Sequence, residues 1–496
     1  MCNKSLAIIV TLFTCLLPPA GNAQTHQAIR QFVNHRSMKG ASLSLMIRDL
    51  NSGDTLYSYD AGRELTPASV LKLVTTAAAL ELLGSDYRFA TTLEYDGAID
   101  GADLTGNLYI RGSGDPTLGS SHFAPNRSSY TPDRNTFAPR WIAALEEKGI
   151  RRIRGSVIAD ESIFDTEGVS PKWLYEDLGS YYAAGSYGLS VFDNTYRLLL
   201  TTGPAGQKPA IVSCQPQVRS LRFHNYLTSA PVATDSAYIV GAPFSADRYL
   251  YGVLPANRKQ VQLRGDIPDP PLFLAQYMHD RLRQAGITVE GQAASFRLLE
   301  EEGNSPRTKR RTLATTYSPA LRSIVRITNE RSHNLYADAL LKTIGVTYTP
   351  QPARGEAVST AGRGVRAVRS HWQSKGLDVS SLRMFDGSGL AAASKTTASF
   401  ICELLVYMAS GSDESDAFIA SLPRAGQEGS VSSFLRNTHL EGKALIKSGG
   451  MSSVRAYAGY IAKGNRQYAL AIIVNNYSSP ATEITGEIEA LLLTLF

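Results

Sequence analysis

Thr66-Pro67-Ala68-Ser69-Val70-Leu71-Lys72 opens an apolar stretch that runs from Val70 to Leu83 and closes on Gly84. Pro just before the first turn and Gly after the last are start and stop signals for a helix. Residues three apart share a helix face, so the Lys72 amine hangs beside the Ser69 hydroxyl. Ser69 also falls at the helix N-terminus, where free N–H groups and the dipole favour a developing negative charge. Taken alone, a serine here reads as an ordinary helix cap.

Two further patterns change that reading. Ser332-His333-Asn334 lies where a helix-rich segment begins, and Lys447-Ser448-Gly449 sits on the apolar strand Ala444 to Met451. SxxK, SxN and K[ST]G each occur once, in that order, on a helix, a loop and a strand. Rival chemistries lack their residues. There is no HExxH, no paired-Cys spacing and no His cluster along the sequence among the eight histidines, so neither metal nor cofactor is expected. No phosphate-binding GxxxxGK[ST] is found, and Gly387-Ser388-Gly389 lacks the GxSxG spacing of a nucleophile elbow.

At 496 residues the chain suggests about three domains. A composition of 43% hydrophobic and 19% charged residues excludes disorder, collagen and a polytopic membrane protein. The net charge of +6 is a weak surplus over so large a surface and does not indicate nucleic acid. Lys4, the apolar run Leu6 to Leu17, Pro18-Pro19 and the small Ala20, Gly21 and Ala23 describe a secretory signal peptide, residues 1–23. The run is too short to span a bilayer, which takes about 20 residues. The expected product is periplasmic, with no transmembrane anchor after removal of the leader. Cys2 and Cys15 leave with it. Cys214 and Cys402 are too few for a disulfide scaffold and read as small buried hydrophobes.

Leu43 to Arg48 and Leu56 to Tyr59 flank Asn51-Ser52-Gly53-Asp54 and read as a hairpin. Arg140 to Lys148 and Phe273 to Gln284 read as helices, each followed by Gly-Ile and a short strand, an echo that suggests two αβ units. Arg197 to Gly265 between them looks mostly β. Arg307-Thr308-Lys309-Arg310-Arg311 reads as a solvated linker and serves as a boundary. Beyond it, Ser318 to Ile344 and Phe400 to Met408 read as helical. A last hairpin joins Val454 to Ile461 with Tyr468 to Asn475, and Ile484 to Phe496 reads as an amphipathic helix docked on the core.

With these motifs the chain resembles the class C low-molecular-mass penicillin-binding proteins. This is the D-alanyl-D-alanine carboxypeptidase/endopeptidase family (peptidase S13) typified by penicillin-binding protein 4. The resemblance spans nearly the whole mature chain. It includes Gly112-Ser113-Gly114-Asp115-Pro116-Thr117-Leu118, Tyr187-Gly188-Leu189-Ser190-Val191-Phe192-Asp193-Asn194 and Asp386-Gly387-Ser388-Gly389-Leu390, the first and last read as architectural turns more than catalytic parts. His333 stands where Asp or Asn is commoner, and Ser448 where Thr is usual.

The resemblance implies an α/β (α+β) fold: a transpeptidase-like domain of antiparallel sheet flanked by helices, residues 24–86 and 312–496. Residues 87–311 would form one or two inserted, mainly β accessory domains. It further implies a penicillin-sensitive enzyme acting on peptidoglycan stem peptides, with β-lactam antibiotics as inhibitors. Ser69 would be the nucleophile, neutral Lys72 its base and Ser332 a proton relay. Asn334 would hold Lys72 by its oxygen and substrate backbone by its amide. Lys447 and Ser448, backed by Gly449, would bind the terminal carboxylate, and the N–H groups of Ser69 and Gly450 would form the oxyanion hole. Bringing a lysine amine to neutrality takes about 4 kcal/mol, for which burial and the Lys447 cation are the available causes. A β-lactamase, or a non-catalytic peptidoglycan-binding protein of the same fold, is the alternative. The large insert counts against the first and the complete trio against the second.

Overall fold

The computed structural model describes residues 20–124, 137–304, 309–348 and 358–496. Most of the expected leader, residues 1–19, lies outside them, as do Arg307 and Thr308 of the basic run. The described chain begins with the helix Ala20–Asn34.

The first and last hairpins join into one antiparallel sheet. Its strand order is Thr55–Tyr59, Ser42–Asp49, Arg466–Asn475, Val454–Lys463 and Ala444–Met451. Alternation along Arg466–Asn475 explains how the sheet is covered on both faces. Ala469, Ala471 and Ile473 enter one apolar core, while Leu470, Ile472 and Val474 enter another. Successive strand side chains point to opposite faces, so both cores draw on one strand. The small alanines let the helix Ala398–Ser410 lie close on the first face, and Leu71–Leu83, Leu321–Arg331, Asn334–Tyr348 and Thr360–Ser374 share the same core, packed around Leu71–Leu83. The second face is covered by Ala20–Asn34 and the C-terminal helix Ala481–Leu495, whose Ile484, Ile488, Leu491 and Leu492 are buried there. Each such side chain contributes about 1.5–3 kcal/mol on burial.

The helix Leu71–Leu83 is the central element of the first core. Leu71, Leu73, Val74, Ala77, Ala78 and Leu80 are all fully buried, and Gly84 ends the helix at φ 84°, where its N–H donates to Leu80 O. A helix apolar on every side belongs inside a domain.

Residues between about 90 and 317 have their own core and several small sheets. The echo in sequence becomes a physical pairing. The helix Phe137–Glu147 leads to Arg152–Ile153, the helix Pro270–Gln284 leads to Thr288–Val289, and these two strands pair in parallel. Val157–Asp160 and Ala294–Ser295 repeat the pairing beside them. Arg311–Tyr317 then returns antiparallel to Ala90–Tyr95.

That return corrects the linker reading of the basic run. Arg310 is 10% exposed and lies between Asp160, at 2.5 Å, and Glu94, at 3.7 Å, and Arg311 already begins the strand. Cys402 is buried but Cys214 only partly so, and both are free thiols. Among the described residues no helix is long and apolar enough to cross a membrane.

Candidate active site

Ser69 is not a helix cap. It sits in the 3-10 turn Ala68–Val70, which Pro67 precedes without a side-chain capping bond, and the turn runs straight into Leu71–Leu83. Ala68 holds φ 46°, a left-handed conformation that costs an L-residue about 1–3 kcal/mol and persists only where the surroundings enforce it. Two glycines do so. Gly389 itself takes φ 76° and lies so close that a Cβ there would collide with Ala68 O. On the other side, a Cβ on Gly449 would lie 2.7 Å from Pro67 O and 3.1 Å from Ser69 N. The turn is thus clamped between the Asp386-to-Leu390 loop and the edge strand Ala444–Met451.

Lys72 is fully buried one helical turn further on. Its Nζ donates to Ser69 Oγ at 2.8 Å, to Asn334 Oδ1 at 2.6 Å and to Ser388 O at 2.7 Å. An ammonium has three donors and all are used. On losing a proton the amine keeps two N–H groups. Asn334 Oδ1 and Ser388 O accept only, so the lone pair is left facing the one partner that can donate, the Ser69 hydroxyl. Burial is the largest influence on Lys72 and brings its pKa down to about 8, against the raising effect of Asp338 and then Asp386. Burial, and not the Lys447 charge, is therefore the main cause of the shift.

Ser332 occupies the break between Leu321–Arg331 and Asn334–Tyr348 at φ 56°. The turn aims its hydroxyl at Lys447, whose Nζ donates to Ser332 Oγ at 2.9 Å and to Ser448 O at 2.6 Å. Lys447 is fully buried, and burial followed by the charge of Lys72 holds its pKa well below the usual lysine value. Ser448 Oγ lies 2.8 Å from Ser430 Oγ. Ser69, Ser332, Asn334 and Ser448 are half-buried and Gly450 is exposed, so hydroxyls and amide rim a cleft floored by two buried amines.

All eight residues singled out in the sequence therefore lie on three elements that meet at one cleft. One expected contact differs. The Asn334 amide reserved for substrate backbone donates instead to Tyr182 O at 2.8 Å. Tyr182 and its neighbour Tyr181 are 37% and 41% exposed beside this cleft.

Sequence reasoning missed the support behind Lys72. Asp338, four residues after Asn334 on the same helix face, accepts from Gly387 N at 2.7 Å, and burial raises its pKa to about 7. Asp386 accepts from Trp173 Nε1 at 2.8 Å, Gly389 N at 2.8 Å and Ala391 N at 2.6 Å. The Asp-Gly-Ser-Gly loop is thus more than a turn, because it presents the Ser388 carbonyl to Lys72. The i,i+4 spacing of Asn334 and Asp338 was the available signal; Ser430 and Tyr182 carried none.

The sequence model of the D-Ala-D-Ala carboxypeptidase 3 (S13) family matches residues 25–493. The chain is 29% identical to a D-alanyl-D-alanine carboxypeptidase of Actinomadura sp. (strain R39) over 90% of its own length and 80% of the relative's. It is 23% identical to the D-alanyl-D-alanine carboxypeptidase DacB of Haemophilus influenzae over 91% and 88% of the two chains. Among solved structures, penicillin binding protein 4 from Haemophilus influenzae superposes with a TM-score of 0.76 at 20% identity, covering 93% of this chain and 97% of that one. The same protein complexed with a β-lactam gives a TM-score of 0.73 at 19% identity, covering 95% and 98%.

Proposed function

Because the chain belongs to the D-Ala-D-Ala carboxypeptidase 3 (S13) family and is a serine-type D-Ala-D-Ala carboxypeptidase, we propose that Ser69 carries the acyl group and that Lys72 is its base. The observation that supports this assignment is the single free direction of the Lys72 lone pair, towards Ser69 Oγ at 2.8 Å. Neutral Lys72 takes the hydroxyl proton as Ser69 Oγ bonds to the carbonyl carbon of the penultimate D-alanine. The N–H groups of Ser69 and Gly450 stabilise the oxyanion, and losing one such donor costs about 3–4 kcal/mol. The proton passes to the departing D-alanine amine through Ser332, whose hydroxyl is tuned by Lys447 at 2.9 Å. Lys447 and the Ser448–Ser430 hydroxyl pair receive the terminal carboxylate, a charge-assisted contact that selects free C-termini. Asn334 keeps Lys72 in place and exchanges Tyr182 O for substrate backbone. In deacylation Lys72 takes a proton from water as the water oxygen bonds to the ester carbonyl carbon, and gives that proton to Ser69 Oγ as the ester bond breaks.

The substrate is the stem peptide of peptidoglycan, including D-Ala-to-diamino-acid cross-links, and the compartment is the periplasm, reached through the leader at residues 1–23. Residues 24–86 and 312–496 form the catalytic unit and residues 87–311 the accessory part. A β-lactam places an acylating carbonyl beside a carboxylate in the same geometry, so it inhibits the enzyme by acylating Ser69 and clearing slowly. The fold of a relative complexed with a β-lactam supports this reading. Mass spectrometry of the intact protein after benzylpenicillin gives one adduct, which peptide mapping assigns to Ser69. An unmodified protein, or an adduct on another residue, rejects the assignment. Release of D-alanine from a pentapeptide separates this enzyme from a non-catalytic binding protein.

A further inference from the structure

Three features with no part in the chemistry above meet on one side of the cleft. His122 comes from the 3-10 turn Ser121–Phe123, four residues after the Gly112-to-Leu118 loop. Asp193 comes from the turn Phe192–Asn194, where all three residues hold positive φ, at 54°, 57° and 52°. His333 is the middle residue of the Ser332-His333-Asn334 turn. One ligand atom from each of the three lies within 4.8 Å of the others. The reading that the histidines form no cluster holds along the sequence and fails in space, because the three segments converge only on folding.

We propose that His122, Asp193 and His333 form a binding site for a divalent transition-metal ion, Zn2+ by preference. Two imidazoles and one carboxylate suit zinc, which commonly takes three protein ligands and keeps a fourth position open. Zinc bonds of about 2.0–2.1 Å put tetrahedral ligand atoms about 3.3 Å apart. Side-chain rotations of about an ångström close the present spacing. Direct pairing leaves His333 with nitrogen to spare. His333 Nε2 stands 3.8 Å from Asp193 Oδ1, too far for a hydrogen bond, and His333 Nδ1 is buried with no hydrogen-bond partner among the described residues.

The surroundings resemble an outer shell around an ion. Tyr336 OH donates to Asp193 Oδ1 at 2.8 Å and also lies 2.7 Å from Ser120 Oγ, while Ser120 Oγ accepts from His122 N at 3.1 Å. The Tyr336 ring stacks on His333 at 3.9 Å, and His122 meets His333 edge-on at 5.3 Å. Asn194 fixes the Asp193 turn through Val191 N and Gly185 O, both at 2.9 Å. Such partners orient ligating side chains and are worth about 10–100-fold in metal affinity. An ion here would tie two segments of the insert to the turn that carries Ser332 and Asn334.

The test uses the full mature protein, stripped with a chelator and titrated with Co2+ and then Zn2+. One equivalent of Co2+ should bind with a visible d–d spectrum that Zn2+ abolishes. His122→Ala and Asp193→Asn, checked for folding by circular dichroism, should each weaken uptake at least about 10-fold. In the unaltered protein, Zn2+ should protect His122 and His333 from diethyl pyrocarbonate, read by peptide mass spectrometry. No saturable uptake, uptake indifferent to both substitutions, or unprotected histidines would overturn the site.

Discussion

The indole N–H of Trp173 donates to Asp386 Oδ2 at 2.8 Å across 213 residues of chain. A side chain from the middle of the chain thereby braces the loop whose Ser388 carbonyl holds Lys72. Trp173→Phe removes one donor from a buried carboxylate and should cost about 1–3 kcal/mol. A lower melting temperature together with slower benzylpenicillin acylation is the expected pair of results. Wild-type values for both would show that the brace is idle.

Acylation should depend on pH through Lys72. With its pKa lowered to about 8, the neutral fraction grows about tenfold per pH unit below that value and levels above it. The second-order acylation rate should follow that curve, rising from pH 6 to about 8. Lys72→Arg, which keeps charge but cannot act as a base near neutrality, should drop the rate by several orders of magnitude. A flat wild-type profile would remove Lys72 from the role.

Asp338 offers a test of sign. Its carboxylate raises the Lys72 pKa, and burial raises its own to about 7. Asp338→Asn keeps an acceptor for Gly387 N while deleting the charge, so the Lys72 pKa should fall and the rising limb of the acylation profile should move to lower pH. A move to higher pH would contradict the electrostatics described above.

Gly389→Ala addresses the clamp on the turn Ala68–Val70 that carries Ser69. The new methyl group meets Ala68 O at a backbone φ of 76°. Overpacking costs about 1–3 kcal/mol, and the positive φ adds to it. The expected outcome is a lower melting temperature and acylation reduced at least about 10-fold, since a displacement of the nucleophile by about 1 Å has that scale of effect. Gly62→Ala, at an open position, is the control and should leave both unchanged.

Elements with strong periodicity or sharp punctuation were legible in the sequence. The helix from Leu71 to Leu83 carried Pro67 and Gly84 at its ends, and the last hairpin carried a near-continuous apolar run on each side of Gly464-Asn465. The trio of motifs led to the residues that meet at the cleft because each keeps a fixed local spacing. What stayed hidden depends on contacts between distant segments. Nothing near Arg310 in sequence announces Glu94 and Asp160, so its charge read as solvated when it is buried. Tyr182 reaches Asn334 only because the turn Tyr181–Ala183 folds back on the helix Asn334–Tyr348. Ser388 acts through its carbonyl, a group every residue possesses, so its side chain gives no clue.

The pairing of Ser42–Asp49 with Arg466–Asn475, Leu43 opposite Val474, has a consequence for biosynthesis. A growing polypeptide emerges with Ser69 and Lys72 long before Lys447 is made, and the strand at Ser42, paired locally with Thr55–Tyr59, gains its second neighbour only from a segment far along the chain. A chain that stops short of Ala444–Met451 lacks both the Lys447 amine and the Gly449 backbone that lies against the Ser69 turn. Nonlocal closure of this kind is slow, so the surroundings of Ser69 are completed only when that distant strand docks.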